Sequence, residues 1–422
     1  MLRLEPLVKT SELQLQIAIV TVADLPEGTG RTSRLKTLVG ALRLAHHHVT
    51  ILVEHALSTT PGQQSSGVLA ENGVAFEYVL EKTERSFGFA SMLMKIRAVF
   101  AIRRRLRQMR RDNRLDIVIF NNLTLYDALP LTLWANRNHV ATIQCYEDDR
   151  QEIVSRHRIG LARRIFGLNS WLADRVCPRL ADVIIVISGY LEKKYRRLNG
   201  NRCPVFLIPP IIDCEFWHAP AESETGCPIL LYAGAFAEHD EIELVIEALA
   251  LLRQRGCNFR LMLIGADPKF ERIKSLNQLI TELGMDDCIE VYGFRPLGVV
   301  REAVFASNIL INLRRDSVWS RSGQSTKLSE SLASGRLVIA SRVGDNIKYL
   351  VDGESALLTI PTASAEELAA VIEPALLSSE LRRRIGHQGR TVALMTFDQH
   401  TVSTRLDHIV SMARDRAEAS KH

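Results

Sequence analysis

The sequence predicts an α/β protein built as two doubly wound parallel-sheet domains facing across a cleft, and three observations carry that prediction. Short apolar runs alternate with amphipathic stretches almost throughout the 422 residues. The alternation stops and restarts once, around a proline-rich segment. Hydrophobic residues make up 46% of the chain, enough for two or three proper cores.

The first series contains QIAIVTV, HVTILV, LDIVIF and DVIIVIS, continuous apolar runs of the kind that strands covered on both faces require. Between them lie helical patterns such as RTSRLKTLVGALRLA, whose leucines recur at three- and four-residue intervals. The segment VFLIPPIIDCEFWHAPAESETGC, with Pro209, Pro210, Pro220 and the following Pro228, reads as a linker. A second series follows: PILLYAGAF, FRLMLIGAD, CIEVYGF, NILINL and RLVIAS. From Phe397 the chain reads as one amphipathic helix with a charged tail.

In sheets of this kind ligands bind at the carboxyl ends of strands. Glycine-bearing loops follow three predicted strands: PEGTGRTS, AGAF with Gly234, and IGAD. None fits Gly-x-Gly-x-x-Gly, so the dinucleotide fingerprint is absent. Each loop is either a plain turn or part of a ligand cradle, and their presence in both halves favours a ligand held across the cleft.

Composition narrows the class further. The formal charge of +5, from 53 basic and 48 acidic residues, gives no argument for a nucleic-acid partner. Seven cysteines are scattered singly, which suits reduced thiols in a cytoplasm better than a disulfide framework or a zinc site. No run of about 18 apolar residues predicts a membrane-spanning helix. The opening MLRLEPLVKTSELQLQIAIV lacks the order of a secretory signal, so a cytoplasmic protein is expected. His46, His47 and His48 alternate across a strand start and cannot readily face one ion, so no metal is expected.

The stretch SGQSTKLSESLASGRLVIASRVGDN, Ser322–Asn346, concentrates the chemistry. Ser325 or Thr326 caps a helix running to about Ser334, with Gly335 as its stop. Leu328 and Leu332 share one face, while Lys327, Glu330, Ser331 and Ser334 share the other. A helix start favours a phosphate, and Lys327 adds a full charge there. Glu330, one turn deeper, suits the vicinal hydroxyls of a ribose. The same pattern also describes a solvated face with a weak Lys–Glu pair.

TKLSESLASGRLVIASRVGDNIKYLVDGESALL resembles the donor-binding segment of family-four glycosyltransferases, retaining enzymes of the two-Rossmann-domain (GT-B) fold, of the kind that build bacterial polysaccharides. EGTGRTSRLKTLVGALRLAHHHVTIL, LADVIIVISGYLEKKY, VFLIPPIIDCEFW, LLYAGAF, LMLIGADP, IEVYGFRP and TFDQHTVSTRL are similar to other segments of that family, in the same order. The resemblance implies a Rossmann-like acceptor domain over 1–213, a nucleotide-sugar donor domain over 214–396, and a helix over 397–422 that returns to the first domain. It implies that Glu330 holds the donor's ribose, that Thr326 and Lys327 meet its diphosphate with Gly30 and Arg31, and that Phe294 and Arg295 flank the base. Ser322, Gly323, Gly234 and Arg314 complete the expected donor site.

The sequence departs from the family at informative places. Ala235 and Asp240 stand where an Arg and a Lys usually neutralise the diphosphate, and Ser322 replaces the first glutamate of a Glu-x7-Glu pair. Charge on the leaving group then falls to Lys327, Arg31 or the cluster Arg314, Arg315 and Arg321, or else the chain is a catalytically silent relative or scaffold of a polysaccharide complex. An epimerase acting on nucleotide sugars is the third alternative. Such transfer needs cations and amides aimed at the departing diphosphate, and neither cofactor nor metal.

For the acceptor side, TIQCYEDDRQE places Glu147, Asp148 and Asp149 just after a strand, and the resemblance selects Asp148 as the acceptor or sugar contact. An acidic loop that merely ends the strand is the alternative. Two basic amphipathic stretches, near 92–111 and 156–175, either pack on the first sheet or rest on anionic lipid. The expected partners are therefore a nucleotide sugar, a glycan or lipid-linked acceptor, and the inner face of a membrane.

Overall fold

The computed structural model describes residues 13–26, 30–54, 66–70, 72–80, 89–152, 160–200, 202–220, 226–237, 239–265 and 271–420. Side chains of 89–92 and 160–163 are not described. Parts of the predicted glycine loops (27–29 and 266–267), of the linker (221–225) and of the second basic stretch (156–159) lie outside the described residues. The chain divides into two compact units, Met1–Ile211 with Gln399–His422, and Ile212–Asp398.

The first unit contains β1 (Gln16–Thr21), α1 (Gly30–Leu44), β2 (His48–Val53), β3 (Ser66–Val68), β4 (Ala75–Tyr78), α2 (Phe89–Arg111), β5 (Ile117–Asn121), α3 (Leu125–Arg137), β6 (Ala141–Tyr146), α4 (Gly160–Leu180), β7 (Val183–Val186), α5 (Gly189–Asn199) and β8 (Val205–Leu207). Its sheet runs β3–β4–β2–β1–β5–β6–β7–β8. Alternation along the strands sorts side chains to two layers. Ile17, Ile19, Ile119 and Ile143 pack under α1 and the C-terminal helix Gln399–Ala419, through Leu35, Leu42, Leu406 and Val410. Ala18, Val20, Val118 and Phe120 face α2 and α3, through Ile102, Leu106, Leu131 and Trp134.

The three histidines serve the fold. His46 takes a left-handed φ of 64° and His48 opens β2. His47 is buried, accepting from the Leu15 amide at Nδ1 (3.3 Å) and placing Nε2 3.3 Å from Asp407 on the C-terminal helix. Burial outweighs the pull of Asp407 and holds the imidazole below its ordinary pKa. Among the described residues no group of three potential metal ligands occurs.

The second unit contains β9 (Ile229–Ala233), α6 (Ile242–Gln254), β10 (Arg260–Ile264), α7 (Glu271–Glu282), β11 (Ile289–Tyr292), α8 (Leu297–Ala306), β12 (Ile309–Asn312), α9 (Val318–Ser322), α10 (Thr326–Ala333), β13 (Leu337–Ser341), α11 (Asn346–Tyr349), β14 (Leu357–Thr359), α12 (Ala365–Leu377) and α13 (Ser379–Thr396). Its all-parallel sheet runs β11–β10–β9–β12–β13–β14. The winding reverses between β9 and β12, so the carboxyl ends of those two strands flank the switch point where doubly wound sheets bind ligands. In the first unit the reversal falls between β1 and β5.

Two expectations needed correction. The first sheet is not wholly parallel, because β3 pairs antiparallel with β4 at its edge. The predicted linker begins with β8, which pairs with β7. Three residues before a double proline are too few for periodicity to register.

The C-terminal end of α10 rests on α13. Glycines at 386 and 389 allow the approach, since a Cβ at Gly386 would overlap the Gly335 carbonyl and one at Gly389 would lie 2.8 Å from the Ser355 carbonyl. Arg390 then donates to the Ala333 carbonyl at 2.5 Å, satisfying an end carbonyl of α10 and complementing its dipole. That clamp leaves the other end of the helix, with Lys327 and Glu330, free to serve the switch point.

Candidate active site

Two glycine loops make the room around Lys327. Gly234 follows β9 and its N–H donates to the Ile264 carbonyl at 2.8 Å. Gly265, at the end of β10, has φ +126°, and a Cβ there would collide with the Gly234 carbonyl. A Cβ on Gly234 would in turn collide with the Lys327 ammonium and the Tyr232 hydroxyl. The loops that the sequence left as turns or cradle are thus pressed together, and their missing side chains are what admits the lysine.

Lys327 sits in the first turn of α10. Its N-cap Ser325 is extended (φ −77°, ψ 113°), and the Ser325 side chain accepts no bond from that turn. The partial positive charge of the helix start is therefore left for something else to use. One turn on from Lys327, Ser331 is buried and accepts from Asn312 Nδ2 at 2.9 Å, so this serine ties α10 to β12.

The Lys327 ammonium lies 3.2 Å from Tyr232 Oη and 3.3 Å from Asp240 Oδ2. Tyr232 donates to the same carboxylate at 2.5 Å, and Arg314 Nε stands 3.7 Å from Oδ1. Burial alone would raise the Asp240 carboxyl, but Lys327 and Arg314 outweigh it and hold it below the usual range. Lys327 falls below the ordinary lysine range, because burial and the nearby Arg314 outweigh the attraction of Asp240. Two cations and one carboxylate leave the cluster with a surplus of one positive charge.

Glu330 is different. Its carboxyl makes no hydrogen bond with any described residue, and partial burial, opposed only by Lys327, pushes it up to about 8. A half-buried carboxyl with no protein partner costs the empty fold free energy. Its position one turn behind Lys327 is where a pair of hydroxyl donors would repay that cost.

The remaining predicted residues of this unit are placed as follows. Thr326 begins α10 beside Lys327. Ser322 is buried, its hydroxyl 3.3 Å from the Trp319 carbonyl, and Gly323 caps the end of α9. Phe294 and Arg295 lie exposed on the loop after β11, Phe294 at 74%, with the Arg295 guanidinium 5.7 Å from the Tyr292 ring.

Gly30, Arg31 and Asp148 belong to the first unit. Gly30 opens α1 at an exposed position, next to a half-buried Arg31. One turn on, Arg34 reaches Glu147 at 3.5 Å; Glu147 accepts from Asn121 at 3.0 Å, and Asn121 from Thr21 at 3.3 Å. This chain joins the carboxyl ends of β1, β5 and β6. Asp149 is taken by Lys194 at 3.0 Å. Of the three consecutive acids only Asp148, half-buried, makes no hydrogen bond or ion pair with a described residue.

Sequence reasoning missed Tyr232 and the Arg34–Glu147–Asn121 chain. The signal for Tyr232 was available: a lone phenol in an aliphatic strand, two residues before Gly234 and so on the same face. Nothing local marks Arg34, which lies 113 residues before its partner.

The raised carboxyl of Glu330 gives a signed expectation. Folded chains hold a proton there that unfolded chains release from about pH 4.5, so stability falls as pH rises between 4.5 and about 8. Glu330→Gln removes the loss. Its melting temperature should match the wild type near pH 4.5 and exceed it at pH 8.5, by roughly 2–4 °C per kcal/mol recovered. A variant no more stable than wild type at pH 8.5 contradicts the unpartnered carboxyl.

Comparison with known proteins accounts for most of the chain. Residues 29–210 match the model described as "Glycosyl transferase 4-like domain", and residues 213–392 the one described as "Glycosyl transferases group 1". The chain is 26% identical over 262 residues to MMP alpha-(1->4)-mannosyltransferase of Mycolicibacterium hassiacum, covering 61% of this chain and 60% of that one. Across the curated relatives it matches, the chain spans between 47% and 60% of their length. Sucrose-phosphate synthase of Thermosynechococcus elongatus superposes with a TM-score of 0.72 at 18% identity, covering 94% of this chain and 98% of that one. Anabaena Alr3699/HepE, solved with UDP and glucose, superposes with a TM-score of 0.66 at 16% identity, covering 94% and 100%. With both units matched in order, the chain belongs to the family-four glycosyltransferases, on the GT-B fold.

Proposed function

We propose that the protein is a retaining glycosyltransferase that moves a sugar from a nucleoside-diphosphate donor to a glycan or lipid-linked glycan in polysaccharide synthesis. The observation that carries this reading is the pairing of a lysine with an unpartnered, half-buried carboxyl one turn behind it, at the open start of α10. Lys327, Arg314 and the leading amides of α10, with Thr326, take the diphosphate. Glu330 takes the ribose hydroxyls, and Phe294 and Arg295 flank the base. As the anomeric C–O bond breaks, charge collects on the departing diphosphate, and the cations and amides already aimed there stabilise it without a metal. The acceptor hydroxyl forms the new bond at the anomeric carbon, and its proton passes by way of the departing diphosphate to water. In the first unit, the family resemblance assigns Gly30 and Arg31 to the diphosphate and Asp148 to acceptor or sugar.

HepE's UDP complex makes uridine nucleotides the first probes. Thermal-shift and calorimetric titration with UDP-, GDP- and ADP-sugars should find one that binds the wild type. Glu330→Ala should weaken that binding about ten- to a hundredfold, as the loss of two hydrogen bonds at roughly 0.5–1.5 kcal/mol each implies. Binding unchanged by Glu330→Ala would remove the ribose assignment. Binding without any sugar transfer would favour a silent relative, the reading supported by the Asp240 carboxylate already seated on Lys327.

The lipid-linked acceptor and a peripheral place at the cytoplasmic face of a membrane draw support from two helices. No helix among the described residues is long and apolar enough to cross a membrane. α2 buries Ile102, Leu106 and Met109 but leaves Leu93, Ile96 and Phe100 exposed beside Arg97, Arg104 and Arg107. α4 exposes Ile165, Phe166, Leu168 and Trp171, with Arg175 stacked 3.9 Å from the Trp171 ring centre. Helices that pair exposed apolar side chains with arginine bind anionic headgroups. The protein should therefore sediment with vesicles containing phosphatidylglycerol and much less with pure phosphatidylcholine, and Phe100→Ser should reduce the difference. Equal partitioning onto both vesicles refutes the membrane assignment.

A further inference from the structure

We propose that Asp240 is a resident competitor for the phosphate-binding cations, a positioning residue that fixes Lys327 while limiting how tightly the site retains a diphosphate. The inference rests on the donor-site reading above and concerns a residue that reading leaves without a role.

Asp240 is more fully engaged than any other group in the cluster. Oδ2 receives Lys327 at 3.3 Å, Tyr232 at 2.5 Å and the Ala237 amide at 3.3 Å. Oδ1 faces Arg314 at 3.7 Å and His239 Nε2 at 3.9 Å. The side chain is only 3% exposed, so solvent does little to screen it. Tyr232 bridges the pair, accepting from Lys327 and donating to Asp240. Three contacts thus hold the ammonium in one place, the aromatic face of Tyr232 at 4.7 Å being the third.

This arrangement has an electrostatic consequence. A diphosphate arriving at Lys327 meets cations already shared with a carboxylate, and it must draw on them against a like charge that cannot move away. Bond cleavage leaves the nucleoside diphosphate more negative than the donor was, so attraction to an unopposed pair of cations would grow most for the product. Asp240 offsets part of that growth and favours departure of the diphosphate. A carboxylate at this position therefore acts mainly on the charge of the second phosphate, and less on the nucleoside.

The test is calorimetry on the full chain, wild type and Asp240→Asn, with UDP, GDP and ADP and with their monophosphates. The diphosphate that binds the wild type should bind the Asn variant roughly ten- to a hundredfold tighter. The matching monophosphate should gain clearly less. A merely structural role would weaken both ligands together, so the ratio of diphosphate to monophosphate affinity separates the two. Equal or weaker diphosphate binding, or an equal gain for the monophosphate, overturns the inference and leaves the donor-site reading in place. If the wild type binds none of the three diphosphates, the donor-site reading falls and the inference falls with it. Asp240→Ser carries the same expectation and serves if the amide variant does not fold.

Discussion

An ammonium group inside a protein must be paired to stay charged and unobstructed to be useful, and the second unit is organised around meeting both demands at Lys327. Asp240 and Tyr232 supply the pairing. The opening depends on two glycines: Gly265 must lack a side chain for its loop to lie on Gly234, and Gly234 must lack one for the lysine to pass. Neither would matter if α10 could drift. It is fixed at its far end by Arg390, and that guanidinium reaches the Ala333 carbonyl because Gly386 and Gly389 let α13 close on the turn after α10. Position along the chain, helix packing and charge are one problem here.

Glu330 stands in the opposite relation to the fold. Where Asp240 accepts three hydrogen bonds at Oδ2 and faces Arg314 at 3.7 Å, the Glu330 carboxyl has no hydrogen-bonding partner among the described residues and is pushed up to about 8. Selection for stability alone would replace it with an amide or an aliphatic side chain. A group that burdens the empty protein is retained where a ligand relieves it, and this is why the pair Lys327–Glu330 says more about function than either residue alone. The cluster's surplus of a single positive charge fits a site that must bind a diphosphate and also release one.

Much of this was legible in the sequence, for physical reasons. Strands β1, β2, β5, β7, β9, β10, β12 and β13 were visible because most of their residues are buried, which leaves apolar runs; β11 was visible although Glu290, Val291 and Tyr292 are only half-buried. Helix α10 was visible within a residue at each end because its flanking serines and Gly335 mark its limits chemically. Strands β3, β8 and β14 have three residues each, too few for any period to show. The contacts of Lys327 were beyond reach for a different reason: Tyr232 and Asp240 lie 95 and 87 residues away in the chain. Sequence could register Asp240 only as a missing lysine. Coordinates turn the same position into a carboxylate that grips the remaining one.

In the proposed function the start of α10 holds a nucleoside diphosphate by its phosphates and its ribose at once. A crystal structure of the protein grown with the nucleoside diphosphate that binds it tests this most directly. The Lys327 ammonium is expected in hydrogen-bond contact with the terminal phosphate, and both Glu330 carboxyl oxygens on the ribose hydroxyls. A nucleotide bound elsewhere, with Glu330 still unpartnered and Lys327 touching only Asp240 and Tyr232, would contradict it.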